Sequence, residues 1–118
     1  MKSILLFIIL IVGAVYSNAQ TSQPNPVRHF AQAMMQNLQP QDANLMVADL
    51  QSNPNVLMVR YDELTNGLLV VTNEMSSFDQ SVFNSWLTIY ASNVVCYRDG
   101  IQGIDTHLAF NPDFCNNL

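Results

Sequence analysis

Few side chains in this 118-residue chain could do chemistry, and they are scattered. His29, Met34 and Met35 lie close together in sequence, and imidazole with thioethers is a donor set that suits soft metals such as Cu(I). Methionine more often fills irregular space in a core, so these residues also read as packing. Asp62, Glu63, Thr65 and Asn66 supply oxygens that could attract calcium. They lack the D-x-D-x-D-G spacing of a calcium loop, and turns favour the same residue types. Asp105 and His107 stand two apart and could orient one another, but no nucleophile is evidently placed beside them. The chain has no G-x-S-x-G, no H-E-x-x-H and no glycine-rich phosphate loop. No residue is therefore assigned a catalytic, cofactor-binding or metal-ligating role, no cofactor is implied, and the chain reads as a non-enzyme.

Cys96 and Cys115 are the remaining candidates. An even cysteine count in an exported chain favours a disulfide, and two cysteines so separated match no zinc spacing. Their bridge closes a loop of about 20 residues, worth roughly 3 kcal/mol in chain entropy. It would draw the tail GIQGIDTHLAFNPDFCNNL back onto the domain and leave no thiol free for attack.

Export is read from the first residues. Lys2 precedes an apolar run of twelve residues, Ile4 to Val15, and small residues follow at Ser17 and Ala19. This is the layout of a signal peptide, residues 1–19, cleaved before Gln20. A membrane-spanning helix needs roughly 20 apolar residues, so a retained anchor is disfavoured. The positive mean hydropathy is raised by this leader. The expected location is secreted or periplasmic. The 99 residues from Gln20 to Leu118 suit one compact domain. They hold three arginines against nine acids, a net charge of −6. Three scattered arginines cannot build the cationic stripe that nucleic acid requires, and anionic membrane surfaces would repel the chain.

The elements that must position these residues follow from periodicity. Residues 20–26 form a polar lead. Pro26 to Leu38 is ambiguous: Val27, Phe30, Met34 and Leu38 keep helical spacing, while Phe30, Gln32, Met34, Gln36 and Leu38 share one face of a strand. Pro40 to Ser52 reads as a helix, with proline in the first turn, Asp42 at its positive end and a stripe of Ala43, Met46, Val47 and Leu50. Asn53-Pro54-Asn55 stops it. Val56 to Tyr61 and Leu68 to Thr72 form a hairpin in which Asn66-Gly67 supplies positive φ angles. The apolar runs VLMV and LLVV predict interior strands covered on both faces. Ser77 to Tyr90 is a second helix with a Ser77/Gln80 capping box and a face of Phe78, Val82, Phe83, Trp86, Leu87 and Tyr90. Asn93 to Arg98 is a last strand, ending before Asp99-Gly100. With the first element a strand, the fold class is α+β, a ferredoxin-like βαββαβ sandwich of two helices on a four-stranded antiparallel sheet. With that element a helix, it is a three-stranded sheet with an extra N-terminal helix.

From about His29 to Arg98 the chain resembles the heavy-metal-associated domain, the ferredoxin-like module of copper chaperones. The resemblance is carried by LQPQDANLMVADLQSNPNVLMVRYD, where a helix leads through Asn-Pro-Asn into a strand, and by TNGLLVVT. It implies layout rather than chemistry. The family's Met-x-Cys-x-x-Cys loop would fall near Leu38-Gln39-Pro40-Gln41-Asp42, which has no cysteine, so no metal ligand carries over. The function expected is a small exported binding or interaction module on residues 27–98, with residues 99–118 tied back as a tail. The sheet face or the edge of the last strand would meet an unidentified ligand or protein partner. The alternative is a degenerate soft-metal carrier using His29, Met34 and Met35.

Overall fold

A computed structural model describes residues 25–118; the leader and most of the polar lead lie outside them. In chain order the elements are β1 (Val27–Met35), α1 (Pro40–Gln51), β2 (Val56–Asp62), β3 (Gly67–Met75), α2 (Gln80–Leu87), a 3₁₀ turn (Thr88–Asn93), β4 (Val94–Ile101) and a second 3₁₀ turn (Phe114–Asn117). All strand pairs are antiparallel, in the order β2-β3-β1-β4. The architecture is α+β, a four-stranded antiparallel sheet with two helices, compatible with a ferredoxin-like layout.

The ambiguous first segment is a strand. It sits inside the sheet, paired to β3 on one side and β4 on the other. Two backbone ladders, each with one register shift, outweigh the local helical preference of its Ala and Gln residues. Phe30, Ala31, Gln32 and Ala33 are all buried, so both faces are covered and simple alternation is absent.

Residues 31, 33 and 35 of β1, with Leu68 and Val70 of β3, face the helices. There they join Met46 and Leu50 of α1 and Phe83, Leu87 and Tyr90 in one core. Burying each large side chain contributes about 1.5–3 kcal/mol relative to exposure. α1 has Pro40 in its first turn and Asp42 near its positive end, and buries Ala43, Met46 and Leu50.

Four expectations are corrected. β2 is an edge strand, not an interior one: Leu57 is 51% exposed and Met58 36%, and half-buried and exposed residues alternate from Val59 to Asp62. Its apolar run mimicked a buried strand because Val56, Val59 and Tyr61 do pack against the core. In the hairpin turn only Asn66 has a positive φ, 63°. Gly67 is required instead by close approach, since a Cβ there would enter the Phe110 ring. The second helix starts at Gln80 with Asp79 as N-cap, its carboxylate accepting from the Val82 N–H at 3.0 Å. Asp79 outcompetes the Ser77/Gln80 box because it stands one residue before the helical turn. Finally, β4 runs through Asp99-Gly100 to Ile101. Gly100 lies opposite Phe30, where a Cβ would be 2.7 Å from the ring. That glycine admits an aromatic ring rather than ending a strand.

Candidate functional site

The second face of the sheet is covered by the tail, not by helices. After β4 the chain turns at Gly103 (φ 89°), where Asp105 caps the turn by accepting from the Ile101 N–H at 2.8 Å. The tail then returns across the sheet. Gln32, 1% exposed in the middle of β1, holds it. Its Nε2 donates to the Leu108 carbonyl at 2.7 Å and its Oε1 accepts from the Leu108 N–H at 2.9 Å. A side-chain amide thus satisfies both backbone groups of one tail residue, as a neighbouring strand would. Arg98 of β4 donates to the same Oε1 at 2.6 Å and to the Thr106 carbonyl at 3.0 Å, and its guanidinium lies 5.3 Å from the centre of the Phe30 ring. His107 stacks on Phe30 with centroids 4.3 Å apart. Its Nε2 lies 2.8 Å from Gln102 Oε1, within hydrogen-bond distance. Phe110 lies over Gly67 and against the buried Phe114, and Cys115 is bonded to Cys96 of β4.

Between this tail and strands β2 and β3 a groove of about 670 Å³ remains. Leu69, Leu108, Ala109 and Phe110 give it apolar walls, while Arg60, Asp62 and His107 supply polar groups. Its size falls in the range of small-molecule sites, roughly 300–1,000 Å³, which combine apolar lining with a few placed polar groups.

The sequence-predicted residues fare unequally. The Cys96–Cys115 disulfide is formed. Such bonds persist in oxidising compartments, and among the described residues no helix is long and apolar enough to cross a membrane. His29, Met34 and Met35 are not brought together. His29 lies at the far end of β1 from Met35, about 20 Å away at strand rise, and its Nε2 lies 3.2 Å from the Met75 carbonyl. Met35 is buried in the helix-side core, while Met34 points to the opposite face beside Leu64 and Pro112. Among the described residues no three His, Cys, Asp or Glu side chains cluster as metal ligands would.

The turn oxygens serve the turn itself. Asp62 Oδ1 accepts from the Leu64 N–H, Thr65 Oγ1 from the Gly67 N–H, and Asn66 Oδ1 from the Tyr61 hydroxyl. Glu63 acts at a distance: burial, then the charges of Glu63 and Asp62, raise the Tyr61 phenol above its ordinary value. Asp105 and His107 bind different partners and not each other. On the helix side, Tyr97 stacks on Phe83 and donates to Asp99 at 2.7 Å. Burial, then that carboxylate and the charge of Asp79, push its phenol well above the ordinary range.

Gln32, Arg60, Leu108 and Phe110 were not singled out from sequence. One signal existed: Gln32 is a lone amide within the apolar run of β1, and a buried polar group must find partners. The two tail residues, Leu108 and Phe110, carry no local pattern of their own, and Arg60 reads as one charge on an edge strand.

Fold and site together describe an α+β sandwich whose second face is roofed by a disulfide-tethered tail. No family model, curated protein or solved structure matches the chain.

Proposed function

We propose that this protein is an exported, non-catalytic binding module built as a ferredoxin-like βαββαβ sandwich, and that its ligand site is the groove under the tail. One observation carries the reading. The tail is clamped along one side of the sheet by Gln32, Arg98 and Cys96, yet leaves an amphipathic groove of about 670 Å³ on the other. The leader-like first 19 residues and the disulfide support export. A binding role is favoured over catalysis because Asp105 and His107 are each engaged with separate partners and, among the described residues, no nucleophile is bonded to either.

The test is an NMR titration of the oxidised, ¹⁵N-labelled chain with a panel of apolar and amphipathic small molecules. Saturable amide shifts are expected at Arg60, Leu69, Leu108, Ala109 and Phe110. A panel that leaves those residues unmoved, or moves only residues remote from the groove, would overturn the reading.

A further inference from the structure

The groove carries a charge pattern that narrows its ligand class. Arg60 and Asp62 are alternate residues of β2, so they project from one face about 7 Å apart, and both line the groove. Among the described residues neither has an ion-pair partner within 4.0 Å, so no direct contact between them occupies either group. The Arg60 guanidinium has no hydrogen-bond partner there either. Asp62 Oδ1 is taken by the Leu64 N–H at 2.9 Å, which leaves Oδ2 available. The other polar groups nearby are committed: Arg98 to Gln32 and Thr106, and His107 Nε2 to Gln102. The rim therefore offers one donor fork and one acceptor of opposite charge, side by side, above the apolar surfaces of Leu69 and Phe110.

We propose, resting on the groove as the binding site, that it takes a small zwitterion with an apolar body, of the size and chemistry of an apolar dipeptide with free termini. The carboxylate meets Arg60, whose planar fork matches its two oxygens. The ammonium group meets Asp62 Oδ2. The two side chains lie against Leu69, Leu108 and Phe110, and the volume admits both. Net charge favours this class over its charged relatives. The chain carries −5, so a simple anion approaches against the field of the whole molecule. A simple cation would satisfy Asp62 but would face the unpaired Arg60. A zwitterion answers both prongs and is indifferent to the long-range field.

The test is calorimetric titration of the oxidised chain with four probes: Leu-Phe, N-acetyl-Leu-Phe, Leu-Phe-amide and N-acetyl-Leu-Phe-amide. Leu-Phe is expected to bind tightest, and blocking either terminus to weaken binding about three- to tenfold. Arg60→Gln should weaken the two probes with a free carboxylate and leave Leu-Phe-amide unchanged. Asp62→Asn, which keeps an oxygen for the Leu64 N–H, should weaken only the two probes with a free amine. Equal affinities across the four probes, or affinities insensitive to both variants, would overturn the proposal while leaving the groove in place. If no probe binds but the small-molecule panel still shifts groove amides, the zwitterion falls and the groove stands. If neither binds, both fall.

Discussion

The two faces of the sheet are sealed by different physics. On one, helices α1 and α2 close over Ala31, Ala33, Met35, Leu68 and Val70, and the contact is almost entirely apolar. On the other, a segment with only one short 3₁₀ turn is held by a side-chain amide, a guanidinium, a few aromatic rings and a disulfide. A helix presents a continuous apolar stripe and leaves little space beneath it. An irregular chain is fixed at points, and space remains between them. The groove lies on the face where the cover is tied rather than packed. This is consistent with binding sites being drawn from less uniformly stabilised regions.

Core truncation should give the largest contrast. Phe83→Ala, on the sheet-facing side of α2, is expected to cost about 3–5 kcal/mol, because rigid surroundings cannot collapse onto the cavity. Phe114→Ala, equally buried but on the tail itself, should fall at or below the low end of that range, since the tail can settle. Urea denaturation of both variants makes the comparison, and equal losses would show the tail to be as rigidly packed as the helices. Next in size is the disulfide. Replacing Cys96 and Cys115 with alanine should lower stability by roughly 3 kcal/mol in the chain-entropy picture. The helix-side core should stay folded, as judged by near-ultraviolet circular dichroism of Trp86.

Gln32→Ala strips partners from the Leu108 N–H and carbonyl and from Arg98, an expected loss of about 1–3 kcal/mol. Its signature is local: faster exchange at Leu108 with little change at Phe83. The smallest effect is on pH dependence. Tyr97 is held neutral in the fold, its pKa raised above the unfolded value. Its contribution to stability is therefore fully present below the unfolded phenol pKa, about 10, and is lost as pH rises beyond it. Tyr97→Phe should flatten that alkaline decline on the helix side, as followed by thermal melts across alkaline pH.

The helix-side face was legible in the sequence and the tail-side face largely was not. The stripes of Ala43, Met46 and Leu50 and of Phe83 and Leu87 announce what they bury, because helical periodicity is a local property. β1 was readable only through the fold that surrounds it, since its backbone is completed by two distant strands. Gly67 and Gly100 sit in patterns that announce turns, yet both are glycine because of rings from elsewhere in the chain, Phe110 and Phe30. The disulfide could be inferred from cysteine count alone, but where its tail lies depends on Gln32, 76 residues from Leu108. Contacts of that range leave no periodic trace. Met34 and Met35 are adjacent in sequence yet face opposite ways on the strand, and His29 is carried about 20 Å from Met35 by strand rise.

The most direct measurement is hydrogen exchange of the Leu108 amide in the oxidised chain, set against the same amide in Gln32→Ala. Leu108 is expected to be protected at least about tenfold, equivalent to about 1.4 kcal/mol, over an unstructured amide, with that protection vanishing in the variant. Exchange of the native Leu108 amide at the free-chain rate would mean the tail does not roof the sheet, and the groove with it would be lost.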